Sequence, residues 1–172
     1  MSGSERKLYV YGASGHGRVV AETATRAGFT VLGFLDDAEG KSGESLGGVP
    51  VSCWSIDELA RRVQEEDAGV IVGIGDNWIR KLIFERIVHR GIRLATVVAP
   101  SAVVFDSVKV GAGSFVAAGS VITTDTKIGR NVIVNTVASI DHDCVIGDHA
   151  HISPGAHLGG TVVVGEGTHV GI

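Results

Sequence analysis

The chain is poor in several features that would assign it to a specialised class. Its two cysteines, Cys53 and Cys144, lie far apart with neither a Cys-x-x-Cys pair nor zinc-type Cys/His spacing. That excludes a disulfide framework and a structural metal site, no metal is expected, and the default setting is a reducing cytoplasm. Only 3 of 172 residues are proline and 5% are aromatic, so collagen-like and low-complexity architectures fail. No apolar run approaches the length of a membrane span, and the opening MSGSERKLYV lacks the charged-then-apolar order of an export signal. A net charge of −4 without a basic stripe or basic helix argues against nucleic acid and anionic membranes as partners, which leaves small molecules. What is present is glycine, 25 residues, within a chain that is 44% hydrophobic. That balance predicts a tightly turning, small-residue β architecture with a substantial core.

Charge is distributed unevenly, since 25 of the 34 charged residues precede residue 98. We therefore expect two domains, 1–97 and 98–172. In the second, every sixth residue from Val98 to Val170 is Val, Ile or Leu, and the position four residues later holds only Ala, Val, Ser, Thr or Cys. In a strand, residues two apart share a face, so each aliphatic and the small residue two before it point inward. The remaining positions make corners, where Pro100, Asp106, Gly113, Gly119, Asn131, Asp143, Pro154, Gly155 and Gly167 have turn-compatible chemistry. Three such sides give a coil of about 18 residues and a solenoid of about four coils. This hexapeptide pattern resembles the left-handed parallel β-helix of acyltransferases, and the left hand is taken from that resemblance.

The first domain alternates strand and helix, which predicts a small Rossmann-like parallel α/β sheet. Residues 7–11 read as a strand and GASGHG (12–17) as a glycine turn, followed by a helix from Arg18 to about Ala27. A second strand ends on Asp36 and Asp37, and a Ser55/Glu58 capping box opens a helix through Val63. A third strand covers Val70–Ile74, Asn77 is expected to cap the next helix, and Leu94–Val98 would return a fourth strand. A glycine turn between strand and helix presents backbone N–H groups to an anion, and an acidic residue about 20 positions later can take ribose hydroxyls. Asp36 stands in that relation to Gly15. One mononucleotide-sized half of about 90 residues disfavours a dinucleotide oxidoreductase and favours a nucleotide-linked sugar. Arg80 and Lys81 read equally well as phosphate partners or as a solvated face.

The order YGASGHG, LDD, IGDN with IRK, then hexapeptides carrying NTVASIDHDCVIGDHAH, resembles the bacterial nucleotide-amino-sugar N-acetyltransferases of the bacillosamine type and their sialic acid O-acetyltransferase relatives. The resemblance implies transfer of acetyl from acetyl-CoA, as co-substrate, to the 4-amino group of a UDP-linked amino-deoxy sugar. By position it makes His142 the general base and brings His151, Gly160 and Ile172 to the cofactor. Gly12, Ser14, Gly15, His16, Asp36, Asp37, Gly75, Asn77 and Arg80 would line the nucleotide-sugar site. Asp143 stands beside His142 where the resemblance leads one to expect the longer Glu. A homotrimer with active sites between subunits is implied as well.

The chemistry is consistent with these residues, because an amine attacking a thioester must lose a proton and an imidazole titrates near neutral pH. Asp143 or Asp141 can fix its tautomer. At a period of 18, Gly160 lies over His142 and leaves room for a thioester, while Phe115, Ile133, His151 and His169 form an outward column. Large apolar residues on a solvent wall are costly, so that column is expected to be a subunit interface shared with His151, with backbone N–H groups near His151 as oxyanion donors. No role is expected for His89, His149, His157 or His169, and Cys144 is a small inward residue rather than a nucleophile. Because the chain reaches Ile172 partway through a hexad without a polar cap, a further coil completing the cofactor site is expected, with weak activity in its absence. A sugar O-acetyltransferase and a non-catalytic nucleotide-sugar scaffold remain the alternatives.

Overall fold

A computed structural model describes residues 6–38 and 40–172. The chain opens with β1 (Arg6–Tyr11), α1 (Gly15–Arg26) and β2 (Phe29–Leu35), continues through β3 (Ser45–Leu46), β4 (Val49–Ser52) and α2 (Ile56–Glu65), and closes the first unit with β5 (Ala68–Val72) and α3 (Asn77–His89). Strand order is β3-β4-β2-β1-β5, parallel except for the β3–β4 hairpin. That hairpin was not anticipated, although Gly47 and Gly48, both with positive φ, are the residues such a two-residue turn requires. The expected fourth strand is divided instead. Leu94 makes a single bridge to Val70, and Val97–Val98 already belongs to the solenoid. Ser55 accepts the Glu58 N–H as expected. The cap of α3, however, is Asp76, whose carboxylate accepts the Ile79 N–H at 2.9 Å, which frees Asn77 for a longer-range bond described below.

From Val97 the chain coils as a left-handed parallel β-helix of two-residue strands six residues apart. The first face stacks β6 (Val97–Val98), β9 (Phe115–Val116), β12 (Ile133–Val134), β15 (His151–Ile152) and β18 (His169–Val170). The second stacks β7 (Val103–Val104), β10 (Val121–Ile122), β13 (Ser139–Ile140) and β16 (His157–Leu158). The third stacks β8 (Lys109–Val110), β11 (Lys127–Ile128), β14 (Val145–Ile146) and β17 (Val163–Val164). Ile122, Ile140 and Ile152 are wholly buried along the axis. Each such side chain contributes about 1.5–3 kcal/mol relative to exposure. The small inward column is partly polar, and its hydroxyls bridge successive coils: Ser114 Oγ donates to the Gly129 carbonyl and accepts the Val132 N–H, while Thr126 Oγ1 donates to the Asp141 carbonyl and accepts the Cys144 N–H.

Corner residues take the left-handed conformation at Gly113, Asp125, Asn131, Asp143, His149 and Gly167, which explains the Gly, Asn and Asp at most of these positions. The first face is covered by the chain's own N-terminal unit. Phe115 and Ile133, each 1% exposed, share one core with Val20, Ala21 and Ala24 of α1. This corrects the expectation of a subunit interface at that column. The periodic pattern requires a cover there, and α1 provides it. Among the described residues no helix is long and apolar enough to cross a membrane.

A glycine column, Gly111, Gly129, Gly147 and Gly165, brings consecutive coils into close backbone contact; a Cβ on Gly129 would lie 2.6 Å from Asp148 Oδ1 and 2.7 Å from its amide nitrogen. Gly129→Ala is therefore expected to destabilise the fold by about 1–3 kcal/mol. A wild-type urea midpoint for this variant would show that the coils can move apart freely.

Candidate functional site

The sheet ends its strands on one edge, and four of the expected nucleotide residues, Gly12, Ser14, Asp36 and Asp37, converge there. A pocket of about 240 Å³ is lined by Tyr11, Gly12, Ser14, Asp36, Asp37, Ile74, Ile79 and Ile83. Gly12 (φ 115°) turns the chain out of β1, and a Cβ there would lie 2.8 Å from Ile74 Cγ1. A Cβ on Gly73 would come equally near Gly17 Cα. Glycine is thus required here by close backbone packing. Ser14 precedes α1 without a side-chain cap, so the first-turn N–H groups of the helix carry no capping bond.

The two acids divide their work. Asp36 Oδ2 accepts the Ala13 N–H at 2.8 Å and the Lys41 ammonium at 2.8 Å, and Oδ1 accepts the Ala38 N–H. Burial alone would raise its pKa, but the Lys41 and backbone hydrogen bonds outweigh burial and hold the carboxyl below its ordinary value. Asp36 is therefore a clasp on the glycine turn. The more exposed Asp37 accepts the Tyr11 hydroxyl at 2.6 Å and lies 3.4 Å from Arg86 Nη1. Lys41, which sequence reasoning missed, also donates to the Ala13 carbonyl at 3.3 Å, so a cation sits at the turn. The only sequence signal for it was a lysine a few residues past the acidic pair.

The other candidates lie elsewhere. Gly15 is exposed, and Gly15, Gly75 and Asn77 do not line the pocket. Asn77 Nδ2 instead donates to the Gly167 carbonyl at 2.9 Å. Arg80 is 1% exposed and hydrogen-bonded throughout to protein oxygens, so both phosphate contact and a solvated face are overturned for it. Lys81 pairs with Glu166 at 2.7 Å.

His16 points away from the pocket and meets Phe115 edge-on at 5.5 Å between centroids. Its Nε2 is buried and has no hydrogen-bond partner among the described residues. Burial, with the positive charge of Arg80, pushes its pKa down to about 4. His151 is 8% exposed; Asn135 Nδ2 lies 3.1 Å from its Nε2, its ring stacks on His169 at 4.6 Å, and its Nδ1 is buried with no hydrogen-bond partner among the described residues. Burial first, then His169, Arg80 and His16, lower its pKa to about 4, against an opposing contribution from the Gly75 backbone. His151 thus faces its own N-terminal domain and is closed to a cofactor within the single chain. Its amide N–H is taken by the Thr168 carbonyl, as that of Ser153 is by Val170, which removes both as oxyanion donors.

His142 stands apart from all of these, on the corner between the second and third faces. Its Nδ1 lies 2.9 Å from Asp143 Oδ2, with side chains 60% and 59% exposed. Asp143, in the left-handed conformation (φ 58°), reaches the ring despite its short side chain, and it is Asp143 rather than Asp141 that makes the pair. Gly160 lies over the imidazole as expected, but the space it leaves is filled by the ring itself: a Cβ there would be 2.6 Å from both Cε1 and Nε2. Ile172 is fully exposed and falls one coil beyond Pro154, on the corner between the first and second faces rather than beside Gly160.

A mononucleotide-type sheet leading into a hexapeptide solenoid that exposes a His–Asp pair defines a hexapeptide-repeat acyltransferase. The comparisons narrow this. The PglD N-terminal domain family matches residues 7–87, and the bacterial transferase hexapeptide (six repeats) family matches residues 125–160. Perosamine N-acetyltransferase from Caulobacter crescentus, solved as a histidine-to-asparagine variant in complex with CoA and GDP-perosamine, is 34% identical with a TM-score of 0.85, over 95% of this chain and 76% of that one. The acetyltransferase domain of PglB from Neisseria gonorrhoeae, in complex with acetyl coenzyme A, is 38% identical with a TM-score of 0.85, over 97% and 80%. WeeI from Acinetobacter baumannii is 28% identical with a TM-score of 0.77, over 93% and 75%. The chain belongs to the hexapeptide-repeat family of nucleotide-amino-sugar N-acetyltransferases, and it is an acetyltransferase.

The two depressed histidines give a pH dependence of fixed sign. Below about pH 6.5 the unfolded chain binds protons that folded His16 and His151 refuse until about pH 4, so stability is full above the first value and is lost as pH falls toward the second. Urea midpoints should decline across that window and decline less in His16→Gln. A flat profile would contradict the burial of both rings.

Proposed function

We propose that the chain transfers acetyl from acetyl-CoA to an amino group of a nucleotide-linked amino-deoxy sugar, with His142 as general base. The observation that carries this reading is the His142–Asp143 pair at 2.9 Å, exposed on a corner of the solenoid. Asp143 accepts from Nδ1–H, which fixes the tautomer and leaves Nε2 with the lone pair that takes a proton. The substrate amine attacks the thioester carbonyl, its proton passes to Nε2, the tetrahedral adduct collapses with cleavage of the C–S bond, and the imidazolium returns that proton to the departing sulfur, so that CoA leaves as the thiol. No covalent enzyme intermediate is required.

In this reading residues 1–97 hold the nucleotide sugar and 98–172 carry the acetyl transfer. The pocket at Gly12, Ser14, Asp36 and Asp37 takes the nucleotide, with the uncapped start of α1 and Lys41 facing the diphosphate. His142 occupies a corner remote from the face that the N-terminal domain covers, so pocket and base are supplied by different subunits of a trimer. Val145 and Val163, 41% and 74% exposed on the third face, support a partner subunit there. The acetyl-CoA complex of the PglB domain and the CoA complex of the perosamine enzyme support the donor, and GDP-perosamine in the latter makes guanosine as well as uridine diphosphate sugars the substrates to test.

The test is thiol release from acetyl-CoA in the presence of UDP- and GDP-linked 4-amino-4,6-dideoxy sugars. His142→Ala is expected to lose roughly 10²–10⁴ in kcat, the range of general-base catalysis. Gly160→Ala, which displaces the imidazole from its seat, is expected to lose about 10²-fold while remaining folded. Release that ignores the sugar, or an undiminished rate in His142→Ala, refutes the reading; release with hydroxyl sugars alone transfers it to O-acetylation.

A further inference from the structure

We infer that Arg80 is a positioning residue, which fixes the nucleotide pocket on the solenoid and thereby sets where the sugar is delivered. The guanidinium has five N–H donors in a rigid plane, and six oxygens converge on it. Three belong to its own domain: Nη1 donates to the Ile74 and Gly75 carbonyls at 3.2 and 3.1 Å, and Nη2 to Asn77 Oδ1 at 2.9 Å. Three belong to two successive coils: Nε donates to the Asn131 carbonyl at 3.2 Å, and Nη2 to those of His149 and Ala150 at 2.7 and 3.3 Å.

The span runs from the pocket to the covered face of the solenoid. Ile74 is a wall of the nucleotide pocket, and Ala150 immediately precedes His151 in β15. One side chain therefore holds the loop behind the pocket against two successive coils of the solenoid. Helix α3 reinforces the contact through side chains spaced for one helical face, because Asn77 and Phe84 meet the same corner column that Arg80 does. Asn77 bonds to Gly167, Phe84 meets the His149 ring edge-on at 5.2 Å, and a Cβ on Gly113 would lie 2.8 Å from Phe84 Cε2. Whichever subunit supplies His142, the sugar meets it correctly only if the pocket keeps a fixed pose on its own solenoid. Lysine has three donors on one nitrogen and cannot reach both sets of oxygens.

The inference rests on the nucleotide-sugar reading of the pocket, and the experiment separates the two. Arg80→Met and Arg80→Lys are compared with the wild-type chain by kcat and KM for each substrate, in protein whose folded fraction and oligomeric state are measured. Amide exchange of the unliganded proteins is followed over residues 73–77 and 149–151. Arg80→Met is expected to lose about 10–10² in kcat, with both KM values within about threefold and exchange faster in both segments together. Arg80→Lys should fall between, and should Arg80→Met fail to fold, the same criteria apply to Arg80→Lys. A folded variant with wild-type kcat, or exchange raised in one segment only, overturns the inference. A loss confined to KM for the sugar makes Arg80 a direct substrate contact instead. An inactive wild-type chain removes the function proposed above and leaves the exchange result to decide whether the two segments are coupled.

Discussion

A charge sealed from water with no carboxylate hydrogen-bonded to it among the described residues has to be held by dipoles, and the Arg80 guanidinium meets that constraint with backbone carbonyls from both domains. Burial pushes its pKa down to about 10, so it stays charged at neutral pH and every oxygen around it is committed. Those carbonyls are available because the solenoid turns its corners through left-handed residues, Asn131 and His149 among them. The alternation of the hexapeptide thus has a result beyond the solenoid core. It presents a column of identical corners, and α3 reads that column with one face.

The same alternation accounts for the contrast between the two histidine environments. His151 sits in a strand on the covered face and is neutral, buried and stacked. His142 sits on a corner that the N-terminal domain does not cover, and is left exposed with Asp143 beside it and Gly160 above. The proposed function makes use of that exposure, since a base has to be open to an incoming substrate, whereas the buried ring of His151 packs at the contact between the two domains.

The solenoid was legible because its period is short and its inward columns tolerate few residue types; the pocket at the strand ends was legible only in part, through Gly12, Ser14, Asp36 and Asp37, because glycine turns and terminal acids sit there by the logic of parallel sheets. Arg80 was not, since a lone arginine beside Lys81 on an amphipathic helix looks the same whether it faces water or a neighbouring domain. A weak signal existed in the spacing of Asn77, Arg80 and Phe84 on one face of α3, opposite residues eighteen apart in the solenoid. Phe115 and Ile133 were recognised as covered, but periodicity marks a face that must be covered without marking what covers it. His16 was placed by its motif in the pocket, whereas the helical phase of α1 turns its ring toward Phe115.

Because Gly113, Asn131, His149 and Gly167 recur once per coil, the molecule has a natural unit of growth and loss. A whole coil added above His169 would leave the α3 contacts and the His142 corner untouched, while a single residue inserted in a strand would turn every later inward side chain outward. Length variation in such a chain is therefore quantised: it falls in steps of one coil along the axis, or in loops budding from exposed corners such as Val137.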